Sequence, residues 1–266
     1  MESHYSKQDI IDSYRRIGIR NGDTIYVTGN LSLLGLMDVS SKSELLRDHE
    51  EALKEVVGED GTIVFPTHSF YLCNTDQVFD LDLTASETGV LSEYLRVSAG
   101  AVRQFHPFSS RAAIGSRASE ICDSKSRQSF GYGTPFQAMI DRDARFVSIA
   151  MAPNLNCSIV HQAEIVVGVP YRYTKEFIHP VRRGETVVRE PFYHFVTYRN
   201  CDILRNRNVK IFDNFKKHHK MSEVKCGRGK IYAYSMAEFF QATCTYLSLD
   251  LYGWLDEPPR VRPYQK

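Results

Sequence analysis

Three stretches of the chain combine apolar residues at helical spacing with a capping box at their start. In a capping box, a Ser or Thr hydroxyl and an acid or amide three residues later satisfy each other's free backbone amides. The segment Ser41 to Glu44 opens one such stretch, which Gly58 ends. Thr134 to Gln137, with proline at the favoured first position, opens a second, and Ser235 to Glu238 opens a third. The pattern therefore predicts three helices with defined starts.

Short β-rich runs lie between these helices, at 24–28, 62–65 and 146–151. Strands that alternate with helices predict a mixed α/β fold whose central sheet is largely parallel and covered on both faces. The part after residue 170 differs, because it is β-rich with a turn signal at Arg183 to Glu185, which predicts an antiparallel hairpin. Ligands of such sheets bind in the loops beyond the carboxyl ends of the strands. We therefore expect the segments Asn30–Ser32 and Pro66–His68, each of which follows a strand, to line a cleft.

The overall composition is that of an ordinary globular protein. The chain has 266 residues, of which 42% are hydrophobic and 24% charged, and it contains neither a repeat nor a long linker. We therefore expect one domain over 1–266. The net charge is only +1, so the chain lacks the positive excess of proteins that bind nucleic acid through its phosphates. We expect no nucleic-acid partner and either a monomer or a homodimer.

The cysteines and the signature motifs exclude several further classes. None of the six cysteines lies two or three positions from another, so the paired spacing of a zinc site is absent and we expect no metal. No apolar run approaches the roughly 20 residues of a membrane span, and we expect a cytoplasmic protein with reduced thiols. The chain also lacks the GxxxxGK[ST] phosphate loop, the GxSxG nucleophile motif and the HExxH zinc motif.

The segment from Asn156 to Glu164 carries the strongest candidate chemistry. With Ser158 as the predicted helix cap, His161 lies in the first helical turn and Glu164 follows on the same face. The positive end of a helix disfavours the imidazolium, and its free amides can hold an oxyanion, so His161 is a candidate general base. The alternative is a buried structural histidine. Cys157 is a second candidate, since a helix start also lowers the pKa of a thiol.

A second segment suits phosphate. It runs from Arg103 to Arg111 and combines two arginines with the hydroxyls of Ser109 and Ser110. An arginine fork bonds two phosphate oxygens at once. The alternative is a polar surface loop. The basic clusters at 205–207 and 216–220 are interpreted as solvated surfaces.

Taken in order, these segments resemble the aminoglycoside 3-N-acetyltransferase family, which transfers acetyl from acetyl-CoA to an amine of an amino sugar. One of them, Ser158 to Glu164, is similar to the family's "TxxHxxE". The other matching segments are Gly22–Gly35, which contains an "HSSLxxLG"-like loop, Gly61–Thr67, Thr88–Arg96 ("MGxLxExxR"), Arg103–Gly115 ("RSxHPxxSxAAxG"), Gly131–Phe136 ("GxxSPF") and Val169–Arg172. The resemblance implies an α/β sandwich and an N-acetyltransferase that uses acetyl-CoA, without a metal, on a small-molecule amine.

The resemblance also implies roles for individual residues. It makes His161 the catalytic base and Glu164 its partner or a ligand of the substrate amine. It also implies a C-terminal acid in the catalytic site, for which Asp213 is the candidate. The acetyl-CoA site that it implies comprises Asn30, Leu31, Ser32, Leu33, Thr67, Arg103, Ser109, Ser110 and Arg111.

Two departures from the family's sequence pattern leave the identity of the acceptor open. The first loop reads Val27 to Ser32, so the family's usual His and first Ser are replaced. The C-terminal third, 176–266, is least similar, and its stretch 199–230 is rich in Lys and Arg, whereas enzymes that bind polycationic drugs would concentrate acids at the cleft. The acceptor is therefore either an aminoglycoside, as for an antibiotic-resistance enzyme, or a nucleotide-linked amino sugar. A non-catalytic module that binds CoA or sugar is the alternative from another class.

Overall fold

A seven-stranded mixed sheet forms the centre of the structure, a computed structural model that describes residues 4–264. Its strands are β1 (Thr24–Gly29), β2 (Thr62–Pro66), β3 (Val102–Arg103), β4 (Arg111–Gly115), β5 (Arg145–Ile149), β8 (Ser222–Cys226) and β9 (Gly229–Ser235). Their order across the sheet is β3-β4-β2-β1-β5-β9-β8. A separate hairpin of β6 (Arg172–Arg183) and β7 (Thr186–Thr197) confirms the antiparallel excursion and its turn.

The three predicted helices begin where their capping signals lie. The hydroxyls of Ser41, Thr134 and Ser235 each accept a hydrogen bond from the backbone amide three residues later. The helices are α1 (Lys7–Arg16), α2 (Lys42–Val57), α3 (Val90–Arg96), α4 (Ala118–Cys122), α5 (Pro135–Asp141), α6 (Val160–Val167), α7 (Val209–His218) and α8 (Met236–Leu249). Short 3₁₀ helices lie at Leu31–Leu34, Phe70–Leu72 and Pro153–Leu155.

The α/β fold class is confirmed, but the expectation of a largely parallel sheet is wrong. The three strands found from the sequence, β1, β2 and β5, are neighbours and pair in parallel. The strands that the sequence analysis missed pair antiparallel, because β4 runs back beside β2 and β9 runs back beside β5. The sheet therefore has a parallel centre with antiparallel flanks.

Both faces of the sheet are covered, as in a sandwich. Along β1, alternate side chains point to opposite faces. Tyr26 joins Phe146 and Tyr234 in one buried cluster with α5 to α8, whereas Ile25 and Val27 join a second cluster with α1 and α2. The carboxyl ends of β1, β2 and β5 share one edge, so the loops that follow them lie side by side.

Buried histidines make the fold sensitive to acid. Burial lowers the pKa of His49 to about 4. It lowers the pKa of His106 and that of His194 to about 3. Below about pH 6.5 the unfolded chain takes up protons that the folded chain does not, so their stabilisation is present above pH 6.5 and is lost as the pH falls. Each such histidine steepens the loss by up to about 1.4 kcal/mol per pH unit. Urea unfolding between pH 7.5 and 4.5 should show this fall.

A matched pair of variants separates these histidines from other acid effects. His106→Asn removes one buried group and should flatten the pH dependence, whereas His218→Asn changes an exposed residue and should leave the slope unchanged. An unfolding free energy that stays constant down to pH 5 would contradict the prediction.

Candidate functional site

His161 lies at the start of α6, on the wall of a cavity and partly exposed. Its Nδ1 is 2.5 Å from Oε2 of Glu164, which lies one turn further along the same helix. The His161 side chain is 24% exposed, whereas that of Glu164 is fully buried. One edge of the imidazole is thus held by a carboxylate, while the ring itself lines the cavity.

Glu164 is the centre of a buried charge cluster. The hydroxyl of Tyr171 donates to its Oε1 at 2.7 Å, and Nε of Arg172 lies 2.9 Å from its Oε2. Burial alone would raise the pKa of Glu164, but the charge of Arg172, together with the hydrogen bonds from His161 and Tyr171, outweighs burial and lowers the pKa. Glu164 is therefore an ionised carboxylate inside the protein.

The same neighbours set the protonation of His161. Burial lowers its pKa and the charge of Arg172 lowers it further, while Glu164 acts in the opposite direction. The net shift is downward, so the imidazole is neutral at pH 7. With its Nδ1 hydrogen donated to Glu164, a neutral ring keeps a lone pair on Nε2.

Aromatic rings fix the orientation of this imidazole. Trp254 and Phe130 approach His161 edge-on, with centroids 5.4 and 5.5 Å away. The guanidinium of Arg172 lies 4.5 Å over the Trp254 ring, so the cation that balances Glu164 is held as well. The ring, the carboxylate and the guanidinium form one packed unit.

The start of α6 differs from the prediction in two ways. The helix begins at Val160, and Ser158 makes no capping hydrogen bond. The amide of His161 donates to the Ser158 carbonyl at 3.1 Å, and the amide of Gln162 donates to that of Ile159. The amides of His161 and Gln162 are therefore occupied within the first turn and are not free to hold an oxyanion.

Cys157 lies beside the same turn but in an environment that keeps it a thiol. Its sulfur is 3.3 Å from the hydroxyl of Tyr234, and burial raises its pKa to about 12. The predicted lowering of its pKa by the helix start is therefore wrong, because desolvation outweighs the backbone amides.

Two cavities are lined in part by the segment that follows β5. One, of about 420 Å³, is lined by Asn30, Leu31, the start of α3 and Met151. The other, of about 380 Å³, begins at Asn154 and contains His161. We call them the β1 cavity and the His161 cavity. The residues that line the His161 cavity are Asn154, Leu155, Asn156, Cys157, Ser158, His161, Arg205, Arg207, Asn208 and Trp254.

The residues expected to bind acetyl-CoA divide into two groups. Asn30 and Leu31 line the β1 cavity, and Ser32 and Leu33 are exposed on the adjoining 3₁₀ helix. The second group is buried in the interior instead and consists of Thr67, Arg103, Ser109, Ser110 and Arg111.

The two arginines of this buried group bind the protein itself. Arg103 donates to the carbonyls of Thr84 and Thr67, at 2.6 and 3.0 Å. Arg111 donates to the carbonyl of Ser109 at 2.7 Å, and its guanidinium lies 4.0 Å from the centroid of the Phe136 ring. Because backbone carbonyls and an aromatic ring surround these cations, the prediction that they bind phosphate is not supported.

The structure does not bring Asp213 to His161. Asp213 is exposed on α7, with its carboxylate 3.3 Å from Nζ of Lys216. The residue that α7 contributes to the site is its cap, Asn208, whose Oδ1 accepts from the indole of Trp254 at 2.5 Å.

Sequence reasoning missed the contributions of Arg205, Arg207 and Trp254. The two arginines had been interpreted as part of a solvated surface, and they line the His161 cavity instead. Trp254 is the single tryptophan of the chain, but its role depends on a contact between segments more than 90 residues apart.

Comparisons with known proteins bear on the family and the fold. A family model described as aminoglycoside 3-N-acetyltransferase matches residues 32–248. Crystal structures of aminoglycoside acetyltransferase AAC(3)-IIb and of YokD protein from Bacillus subtilis superpose with TM-scores of 0.79 and 0.77. They are 20% and 18% identical to this chain, the matches cover 97% and 92% of this chain, and they span 100% of each of those two chains. The structure described as AAC-IIIb binary with CoASH gives a TM-score of 0.79 at 18% identity, over 96% of this chain and 99% of that one.

Within residues 4–264, two further findings bear on the class of protein. No helix there has the length and apolar character needed to cross a membrane. The same residues contain no group of three or more His, Cys, Asp or Glu side chains placed to hold a metal ion.

Proposed function

Because the chain belongs to the aminoglycoside 3-N-acetyltransferase family, we propose that it transfers acetyl to a primary amine of an amino sugar, with His161 as general base. The family makes the chain an acyltransferase with acetyl-CoA as its co-substrate. The observation that carries the proposed mechanism is the His161–Glu164 pair, in which a buried carboxylate holds Nδ1 while the ring lines a cavity.

The transfer step follows from these groups. The amine nitrogen attacks the thioester carbon, a C–N bond forms, and Nε2 of His161 removes the proton that the nitrogen must lose. The C–S bond then breaks, and the departing CoA thiolate takes that proton from the imidazolium. The downward-shifted pKa of His161 keeps the base unprotonated at neutral pH.

Glu164 acts on this step through His161. Its carboxylate is fully buried and already shared by Tyr171, Arg172 and His161, so it has no oxygen free for a substrate ammonium. Of the two roles that the resemblance implied, the geometry favours the partner of the base. Glu164 orients the imidazole, fixes its tautomer and stabilises the imidazolium as it forms.

Direct transfer is favoured over an acetyl-cysteine intermediate. The thiol of Cys157 is held protonated by burial and lies against Tyr234. A thiol with a pKa of about 12 supplies almost no thiolate at neutral pH. The non-catalytic alternative is also disfavoured, since a binding module would not need an ionised carboxylate buried behind a cavity-lining histidine.

We assign the reacting end of acetyl-CoA to the β1 cavity. Its lining includes the Asn30 and Leu31 loop that resembles the family's donor loop, and it also includes Met151, three residues before Asn154 of the His161 cavity. In this proposal the donor occupies the β1 cavity and the acceptor amine occupies the His161 cavity.

A thermal-shift titration tests the assignment of the co-substrate. Acetyl-CoA at 100 times its dissociation constant should stabilise the protein by about 2.7 kcal/mol, because it binds the folded state only. ATP and NAD serve as controls, since they share the adenine nucleotide but lack the thioester arm. No shift with acetyl-CoA, or an equal shift with all three compounds, would contradict the proposed function.

A further inference from the structure

We infer that the acceptor carries a phosphate or carboxylate beside its amino sugar and that Arg205 and Arg207 bind this anion. The inference rests on the proposed function, and it narrows the acceptor to one charge class. A cavity that binds an anionic acceptor has the opposite charge from one that would bind a polycationic drug.

The positive charge of the residues that line the His161 cavity supports an anionic acceptor. Arg205 and Arg207 are exposed on the cavity wall, and among its lining residues there is neither Asp nor Glu. The acid nearest to the base, Glu164, is fully buried and balanced by Arg172. Along the part of the chain that the structure describes, no carboxylate lies within 4 Å of either cavity arginine. The cavity therefore attracts anions and repels polycations.

Three lysines of the basic stretch 199–230 are bound to the protein itself. Nζ of Lys210 donates to the carbonyls of Leu255 and Asp256, so that cation serves the fold. Lys216 pairs with Asp213, and Lys230 pairs with Glu223. Unlike these lysines, Arg205 and Arg207 line the His161 cavity and form no ion pair among the described residues.

The backbone that presents Arg207 is strained and specifically held. Arg207 and Asn208 have φ angles of 52° and 60°, in the left-handed region that costs non-glycine residues energy. Nδ2 of Asn154 donates to the Arg207 carbonyl at 3.1 Å, and Nδ2 of Asn208 donates to the Asn154 carbonyl at 2.7 Å. These bonds tie the arginine turn to the loop that leads into His161, so the cations and the base keep a fixed relation.

An anion in this cavity has two possible sources, the acceptor and CoA. The phosphates of CoA are separated from its thioester by the whole pantetheine arm. Since the thioester must lie beside the base when it reacts, those phosphates lie a pantetheine arm away from the base that lines this cavity. The acceptor is the substrate whose anion can lie within one sugar unit of the reacting amine, so we assign the arginines to it.

Binding measurements on the CoA complex test the inference, because saturating CoA fills the donor site. The probes are glucosamine, glucosamine 6-phosphate and UDP-glucosamine, which share an amine and differ in charge, together with kanamycin. We expect both phosphate-bearing sugars to bind more tightly than glucosamine and kanamycin. The double variant Arg205→Ala/Arg207→Ala should bind both phosphate-bearing sugars at least about tenfold more weakly. Added salt should weaken the charged sugars selectively.

Lys217→Ala is the matched control, since Lys217 is an exposed cation of the same basic stretch that does not line the cavity. It should bind every probe like the wild type. The inference is overturned if neither charged sugar binds, if kanamycin binds more tightly than they do, or if the double variant weakens acetyl-CoA and not the sugars. The proposed function fails separately, through an absence of acetyl-CoA binding to the wild type.

Discussion

His161→Ala should lower kcat by roughly 10²- to 10⁴-fold while acetyl-CoA still binds, because a positioned general base contributes about that much to a proton transfer. The ring lines the His161 cavity and its Nδ1 is held by Glu164. The substitution therefore removes the base and leaves the lining of the β1 cavity unchanged. Steady-state CoA release with an accepted amine gives kcat, and the thermal-shift titration gives acetyl-CoA binding.

Cys157→Ala is the control that separates the two mechanisms. In direct transfer the thiol only packs against Tyr234, so this variant should keep most of the activity. An inactive Cys157→Ala enzyme, with acetyl-enzyme in the mass spectrum of the wild type without acceptor, would establish the thiol route instead. An active His161→Ala enzyme would exclude both mechanisms.

The pH profile of kcat/KM adds a second readout of the same base. Burial and Arg172 lower the pKa of His161, so the acid limb of the profile should lie below the ordinary histidine value of about 6.5. Activity is lost only when the pH falls through this lowered value, because the protonated ring cannot accept a proton. A limb above pH 7 would contradict the assignment.

Local spacing explains why the central pair could be found from the sequence. His161 and Glu164 are three residues apart on one helix, so their contact needs no tertiary information. The helix starts at Ser41, Thr134 and Ser235 are local in the same sense and were predicted correctly. Family resemblance added the order of the segments and the acetyl-CoA chemistry.

Contacts between distant segments explain what the sequence could not supply. A loop with Arg103 and Arg111 has the composition of a phosphate site, and only tertiary packing shows that Phe136 and backbone carbonyls already surround its cations. The strand pairings of β4 and β9 likewise depend on chain reversals that short apolar runs do not specify. Arg205 joins the site because its turn packs beside Trp254, with the guanidinium 5.3 Å from that ring.

Loss of the buried carboxylate should damage both stability and catalysis. Glu164→Gln keeps an oxygen for the Tyr171 hydroxyl but leaves the buried guanidinium of Arg172 without its anion. Breaking a buried ion pair in this way costs about 3–5 kcal/mol, which urea unfolding at pH 7.5 should reveal. Glu59→Gln, at an exposed carboxylate, should change the unfolding free energy by no more than about 0.5 kcal/mol.

A purely structural role for Glu164 would predict that stability loss alone, so the decisive readout is the pH profile. The charge of Glu164 is what raises the pKa of His161 against burial and Arg172. Its removal should therefore move the acid limb of kcat/KM to still lower pH and reduce kcat on the plateau, since the imidazolium loses its counter-charge. Glu164→Gln/Arg172→Gln should recover part of the stability, because no unpaired cation remains, but not the lost kcat. A limb at the wild-type position in Glu164→Gln would show that the carboxylate does not act through the base.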